Sequence, residues 1–152
     1  ENAGYEHYEV SNFALPGFRS KHNHAYWTGA FYLGIGPSAH SFNGSQRCWN
    51  IRNNHQYIRD IQSGQFDPEC EQIDPVTAYN EYLLTRLRTT NGIAPQEIEE
   101  RFDIDFNATF KPQLDELINE QKIVVEGGRI KLTRQGLLWA DDIASQFFRI
   151  SE

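Results

Sequence analysis

Residues 32–41 read Tyr-Leu-Gly-Ile-Gly-Pro-Ser-Ala-His-Ser, and this stretch decides the fold expected for the first part of the chain. Its β-prone start predicts an extended run over residues 32–36 that resumes at residues 39–42. Asn43-Gly44 is a typical hairpin turn and returns the chain into a strand at residues 47–51. Glycine inside a strand favours close approach of a ligand or of another backbone, so the stretch is either the wall of a cofactor pocket or a tight bend. It lacks the third glycine and the following helix of a dinucleotide-binding fingerprint.

Upstream of this stretch, the pattern predicts a strand at residues 5–10 and then a long loop at residues 13–24, which has neither a strand nor a helix period. The loop runs into His22-Asn23-His24-Ala25-Tyr26-Trp27. Imidazole beside flat aromatic surface suits haem, because the iron takes an axial nitrogen and the macrocycle takes stacking contacts. Ordinary packing or hydrogen bonding of the same side chains is the alternative.

Downstream, Asn53 or Asn54 is expected to cap a helix that Gly64 ends, and a domain boundary is expected directly after it. Residues 65–73 are polar and contain a proline. Asp74-Pro75 then indicates the start of a longer helix that runs to about Thr90. The apolar stripe of that helix consists of Ala78, Tyr79, Tyr82, Leu83 and Leu87.

The last third of the chain predicts two helices, a hairpin and a final helix. The first two helices are expected at about residues 95–102 and 107–121, and the hairpin strands at residues 122–126 and 129–133 around Gly127-Gly128. Thr133 is expected to cap the final helix, which buries Leu137, Leu138, Ile143, Ala144 and Phe147. This is the order of a winged helix-turn-helix, which serves either as a structural or docking domain or as a DNA-binding module.

The charge distribution distinguishes a structural or docking domain from a DNA-binding module. The formal net charge is −7, but residues 1–64 carry +1 and residues 65–152 carry −8, because 17 acidic residues there face nine basic ones. Duplex DNA binding depends on lysine and arginine, since released counterions supply most of the affinity. The expected recognition helix carries Lys111 against Asp115, Glu116 and Glu120. We therefore expect a structural or partner-docking domain that does not bind DNA.

Composition limits the remaining classes. With 39% apolar residues, a chain of 152 residues suffices for one domain or two small ones, and no apolar run approaches the length of a membrane span. Because the sequence begins at Glu1 and contains no methionine, we expect it to be part of a longer gene product, with no secretory signal visible. Cys48 and Cys70 have no zinc or iron–sulfur spacing. Two reduced thiols in a cytosolic protein is the main interpretation, and a single disulfide is the alternative.

Several stretches together carry a family resemblance: Tyr8-Glu9-Val10-Ser11-Asn12-Phe13-Ala14, Pro16-Gly17, His22-Asn23-x-x-Tyr26-Trp27, Tyr32-Leu33-Gly34-Ile35-Gly36 and Ser38-Ala39-His40-Ser41. They resemble the oxygen-independent coproporphyrinogen III oxidase-like family of radical S-adenosylmethionine proteins, and the His-Asn-x-x-Tyr-Trp element is most similar to its haem-chaperone (HemW-type) branch. The resemblance implies an α/β fold. Residues 1–64 would form the end of an incomplete radical S-adenosylmethionine barrel, and residues 65–152 an α-rich, winged-helix-like C-terminal domain.

The resemblance also implies what the whole protein does. It would be a cytoplasmic haem chaperone of porphyrin metabolism, with haem or a porphyrin as ligand and a haem-recipient protein as partner. The alternative is a true oxidase that oxidatively decarboxylates the propionates of coproporphyrinogen III.

On this interpretation two groups of residues form the site. His22 is the expected ligand of the haem iron, and Asn23, Tyr26 and Trp27 shape its loop, whereas His24 stands at a free position of the motif. The second group lies beside the S-adenosylmethionine pocket and consists of Gly34, Gly36, Ala39 and His40. His40 stands where the oxidase branch has an aliphatic residue that contacts a second cofactor molecule.

The family's CxxxCxxC loop, which binds a [4Fe–4S] cluster that coordinates S-adenosylmethionine, is absent from this sequence. Three thiolates are needed there, and Cys48 and Cys70 cannot replace them. We therefore expect no catalytic residue in this chain. The cluster and S-adenosylmethionine would belong to the full-length protein, whose upstream barrel the chain would complete.

This absence generates a direct test. After anaerobic reconstitution with iron and sulfide, we expect the purified chain to hold no [4Fe–4S] cluster and to leave S-adenosylmethionine uncleaved under reducing conditions. Iron and sulfide analysis and chromatography of the nucleoside products measure both properties. Stoichiometric iron and sulfide in the reconstituted chain would contradict the expectation.

Overall fold

The computed structural model describes residues 3–150. The outermost residues of the two expected segments, 1, 2, 151 and 152, lie outside that range. Along the chain the elements are β1 (Glu6–Glu9), β2 (Asn12–Ala14), α1 (Lys21–Trp27), β3 (His40–Phe42), β4 (Gln46–Trp49), α2 (Asn54–Ser63), β5 (Glu69–Gln72), α3 (Pro75–Leu87), α4 (Pro95–Phe102), α5 (Phe106–Thr109), α6 (Lys111–Asn119), β6 (Ile123–Glu126), β7 (Arg129–Leu132), a 3₁₀ turn (Gly136–Trp139) and α7 (Ala140–Ser145). Helices and strands are therefore mixed.

These elements form two compact units. The terminal unit combines the chain up to Thr28 with the chain from Pro75 onward, and the middle unit is residues 29–74. The sequence instead predicts a boundary after Gly64. The difference arises because the β1–β2 hairpin bonds to the end of α3, through Val10 N–H to Arg88 O at 3.0 Å and Thr90 N–H to Tyr8 O at 3.1 Å. Residues 1–64 as the end of a barrel remain a prediction, since all strand pairs within residues 3–150 are antiparallel.

The core of the terminal unit forms around α3. The predicted stripe is confirmed at its four aromatic and leucine positions, which are buried: Tyr79, Tyr82, Leu83 and Leu87. Phe106, Phe110 and Phe147 pack on one another in the same core, with ring centroids 5.0–5.3 Å apart. Burying a large apolar side chain contributes about 1.5–3 kcal/mol, so this cluster dominates the stability of the unit.

The helix predicted at residues 107–121 is two helices in the structure. α5 ends at Thr109, Phe110 leaves the helical region at φ −112° and ψ 21°, and α6 begins at Lys111. Pro112 explains the break, because proline lacks an amide donor and its ring collides with the carbonyl four residues earlier. The chain accommodates it by starting a new helix whose first turn contains the proline.

The final helix also differs from its prediction. Thr133 Oγ1 accepts the Gly136 N–H at 3.1 Å, but this bond lies at the start of a 3₁₀ turn over residues 136–139, and the N-cap of α7 is Trp139. Leu138, expected in the core, is 81% exposed. A 3₁₀ turn advances each residue by 120° instead of 100°, so Leu138 does not continue the buried stripe of α7.

The middle unit is a three-stranded antiparallel sheet in the order β3-β4-β5, with α2 between β4 and β5 along the chain. The predicted caps of α2 are confirmed: the Asn53 side chain accepts the Gln56 N–H at 3.0 Å, and Gly64 is left-handed at φ 68°. β5 was not predicted, because its residues Glu-Cys-Glu-Gln are all exposed and show no alternation. Its strand conformation comes from pairing with β4.

The main interpretation of the cysteines is wrong, and the alternative holds. Cys48 and Cys70 are directly paired residues of β4 and β5, and they form a disulfide. A spacing of 22 residues gave no local signal, because only the antiparallel register brings the two sulfurs together. Over residues 3–150, no helix combines the length and apolar character required to cross a membrane.

Burial of Tyr79 gives the fold a measurable pH dependence. Burial raises the pKa of Tyr79 from 10.0 to about 12, against a smaller opposite effect of Arg149. The neutral phenol is thus favoured in the folded state. Its contribution to the free energy of unfolding is complete below pH 10 and is lost as the pH rises towards 12. We expect the free energy of unfolding to fall by about 2 kcal/mol over that window, measured by urea titration.

Two substitutions control this experiment. Tyr79→Phe should cost about 1 kcal/mol at pH 8, because the Tyr79 hydroxyl donates to Phe147 O at 3.1 Å, but it should flatten the alkaline loss. Tyr5→Phe, at a residue 45% exposed, should leave the alkaline loss unchanged. An equally steep loss in Tyr79→Phe would contradict the assignment.

Candidate functional site

The motif residues 22–27 lie on a helix, and not in the loop that the sequence predicts. Ser20 is the N-cap of α1, with its Oγ accepting the Asn23 N–H at 3.2 Å. The Tyr8 hydroxyl accepts the Ser20 N–H at 3.4 Å and so connects the start of the helix to β1. α1 has no buried residue, so it shows no apolar period, and Ser20 was its only local signal.

The helix separates the two histidines. His22 and Tyr26 are one turn apart on the same face, and their rings meet edge to face with centroids 5.0 Å apart. His24 is two positions from His22 and therefore projects about 200° around the helix axis. His22 is exposed and makes no hydrogen bond to any residue within 3–150, so its imidazole nitrogens are available to a ligand.

Trp27 lies one turn after Asn23 and projects about 140° around the helix axis from His22. Its side chain is half-buried, and its Nε1 is buried without a hydrogen-bond acceptor in the described part of the chain. An indole N–H is a donor only, and a buried donor without an acceptor costs about 1–3 kcal/mol. Trp27 therefore presents an unused polar group within the motif.

The second group of predicted residues lies in the middle unit, where Asn50 organises it. The buried Asn50 carboxamide donates to both Gly34 O and Gly36 O, at 3.2 and 2.8 Å, and its own N–H donates to Ala39 O at 2.9 Å. Sequence reasoning missed Asn50, because no local pattern distinguishes it from any other polar residue at the end of a strand.

Gly34 is required by the bend itself. A Cβ at this position would overlap the backbone of His40. The Gly34 N–H donates to Ser41 Oγ at 2.9 Å, and the Gly36 N–H donates to the Tyr57 hydroxyl at 3.1 Å. The polar backbone groups at Gly34 and Gly36 are thus satisfied internally.

The segment exposes apolar side chains instead. Phe31, Leu33 and Ile35 are 74%, 79% and 83% exposed, and they alternate with residues that face the unit. His40 is exposed on β3, with its ring 6.2 Å from that of Trp49 on β4. A period of two at residues 31–35 was visible in the sequence and could have identified these residues. A cofactor beside this segment would meet apolar surface and one imidazole, with few free backbone donors.

The donor set fits haem and does not fit an iron–sulfur cluster. Within the described range no three His, Cys, Asp or Glu side chains cluster so as to hold a metal ion. A porphyrin supplies four nitrogens, so a single exposed imidazole such as His22 suffices for an axial bond. Both cysteines are consumed by the disulfide, which leaves no thiolate for a cluster.

Known proteins match both parts of the chain. Residues 73–139 match the HemN C-terminal domain, and the heme chaperone HemW of Lactococcus lactis is 33% identical over 144 residues, which is 95% of this chain. The chain belongs to the HemN/HemW family. The heme chaperone HemW of Bacillus subtilis is 29% identical over 148 residues, and the mouse mitochondrial radical S-adenosyl methionine domain-containing protein 1 is 32% identical over 151 residues.

The similarity covers only part of each relative. The chain spans 38% of the Lactococcus lactis protein, 39% of the Bacillus subtilis protein and 31% of the mouse protein. The solved structure of coproporphyrinogen III oxidase (HemN) from Escherichia coli, a radical SAM enzyme, superposes with a TM-score of 0.70 over 97% of this chain and 38% of its own. At 19% identity that match shows the shared fold.

The contacts of Asn50 predict a selective loss of stability. Asn50→Ala should lower the free energy of unfolding by about 1–3 kcal/mol, because two carbonyls lose their donor at a site that is 3% exposed. Asn54→Ala, at an exposed residue in the first turn of α2, is the matched control and should change it by less than about 0.5 kcal/mol. Equal effects in urea titrations of the two variants would contradict the role of Asn50.

Proposed function

We propose that this chain is the C-terminal part of a haem chaperone of the radical S-adenosylmethionine type, and that α1 supplies its haem contact. One observation carries the proposal: the His22 imidazole has no hydrogen-bond partner in the described chain and lies on the same exposed helix face as Tyr26. The relatives named heme chaperone support the same function.

Each residue of the motif has a separate part in this proposal. His22 would hold the haem iron through an imidazole nitrogen, and Tyr26 would fix the plane of that imidazole through the edge contact of their rings. Trp27 would shape the same segment through its half-buried ring, since its indole Nε1–H is buried. Lys21, exposed at the start of α1 and without an ion-pair partner in the described chain, would neutralise propionate charge. Asn23 would contribute through the N-cap, which sets the direction of the helix.

The segment with Gly34, Gly36, Ala39 and His40 would lie beside S-adenosylmethionine in the whole protein, where a cluster on the upstream barrel would coordinate it. Leu33 and Ile35 support an apolar contact there, since both are exposed while the neighbouring amides are engaged. His40 would add the one polar group.

The C-terminal elements would serve as a winged-helix-like structural or docking domain. The order of α4, α5, α6 and the β6–β7 hairpin supports that architecture. Its three lysines are each paired with a carboxylate: Lys111 with Asp115 at 3.0 Å, Lys122 with Glu120 at 2.8 Å and Lys131 with Glu126 at 3.3 Å. Paired lysines add little to phosphate binding, which supports a domain that does not bind DNA.

Oxidative decarboxylation of coproporphyrinogen III by the whole protein is the enzymatic alternative. No described residue favours it, and a likeness of fold does not transfer an activity. An anaerobic assay of the full-length protein with coproporphyrinogen III separates the two functions, because a chaperone leaves the propionates intact.

Haem titration of the full-length protein tests the ligand assignment. His22→Ala should weaken haem binding at least about tenfold and shift the Soret band, because no apolar contact replaces an axial nitrogen. His24→Ala is the matched control on the opposite side of α1 and should leave affinity and spectrum nearly unchanged. Unaltered affinity and spectrum in His22→Ala would show that the helix is structural.

A further inference from the structure

The disulfide of the middle unit lies at an accessible edge. β5 is an edge strand whose four residues are all exposed, and Cys70 is one of them, whereas Cys48 on β4 is half-buried. A thiolate must reach a sulfur directly to open a disulfide, so access governs the rate of that reaction. Because Cys70 is the more exposed residue of the two, we expect its sulfur to be the one that a thiolate attacks.

Little else holds β5 in place. Beside the backbone pairing with β4, its side chains make Glu71–Arg47 at 3.2 Å, Trp49 Nε1–H to Glu69 Oε2 at 2.9 Å and Gln72 Nε2–H to Ser45 O at 3.0 Å. Exposed ion pairs add little to stability, because solvent screens them. Beside the backbone pairing with β4, the disulfide is therefore the one covalent link that holds this exposed strand to the described sheet.

The sheet also connects the disulfide to residues 34–40. On the other side of β4, Cys48 is paired with Ser41 of β3, and Trp49 is paired with His40. Ser41 Oγ in turn accepts the Gly34 N–H at 2.9 Å. If β5 separated from β4, Trp49 would lose its bond to Glu69, and Trp49 is the aromatic neighbour of His40.

We propose that Cys48–Cys70 is a reversible thiol–disulfide site of this protein, opened by a dithiol reductant of the thioredoxin class, and that it controls whether β5 stays paired to β4. A dithiol thiolate attacks Cys70 Sγ and forms a mixed disulfide, and the bond to Cys48 breaks to release the Cys48 thiolate. The second thiol of the reductant then displaces Cys70. Two electrons and two protons pass to the two cysteines, and the dithiol becomes a disulfide.

The first experiment follows the bond in the folded chain. The protein is treated with dithiothreitol, or with reduced thioredoxin, under conditions where urea titration shows it fully folded, and free thiols are alkylated and counted by mass spectrometry. We expect two new thiols to appear at least about tenfold faster than global unfolding, and oxidised glutathione to restore the bond. Thiols that appear only at the rate of global unfolding, or that do not re-form the bond, would overturn the proposal.

The second experiment follows the strand. Hydrogen exchange of the backbone amides at residues 69–73 should become at least about tenfold faster on reduction, while the amides of α3, in the other unit, stay unchanged. The double substitution Cys48→Ser with Cys70→Ser should reproduce the reduced pattern and lose its response to dithiothreitol. Glu71→Gln, which removes one ion pair from the same strand, is the matched control and should keep that response. Unchanged exchange at residues 69–73 in the reduced wild-type chain would overturn the control of β5.

Discussion

The buried face of α3 is the constraint on which the terminal unit depends. Tyr79, Tyr82, Leu83 and Leu87 fill its core from one side, and the later helices pack against that face. The Tyr79 hydroxyl also donates to Phe147 O, which ties the first turns of α3 to the end of the chain. At the other end of α3, backbone bonds to Val10 and Tyr8 hold the β1–β2 hairpin. α1 follows that hairpin, so the position of the motif helix is set by a helix more than 50 residues later in the sequence.

Several caps and turns, whose signals are local, were predicted correctly from the sequence. Asn53 and Gly64 bound α2, Pro95 begins α4, and Gly127-Gly128 turns β6 into β7, because a cap or a turn is decided by a few neighbouring residues. Elements that depend on distant partners were missed. β5 is polar and exposed throughout, and only its pairing with β4 makes it a strand.

The two errors within the C-terminal helices have a different origin. Pro112 was visible in the sequence, and the apolar period across residues 107–121 outweighed it in the prediction although proline cannot occupy a helix interior. Leu138 was assigned to the core by extrapolating a period of 3.6 into a turn that has a period of three. At both places the backbone hydrogen-bond pattern, and not the apolar period of the side chains, sets where the helix begins and which residues are buried.

The candidate site shows the same division between local and distant signals. The motif that holds His22 and Tyr26 could be recognised in the sequence because its residues are consecutive, although the helix that places His22 and Tyr26 on one face was not predicted. Asn50 could not, since its importance arises from two carbonyls 14 and 16 residues away.

The two groups of residues also differ in what they leave for a ligand. α1 leaves an imidazole and an indole N–H unused, whereas the segment around Gly34 uses its amides internally and leaves apolar side chains. Within the described residues, the Gly34 segment therefore offers a ligand apolar surface and the exposed His40 imidazole, because its amides are already engaged. The exposed imidazole without a hydrogen-bond partner lies on α1, at His22.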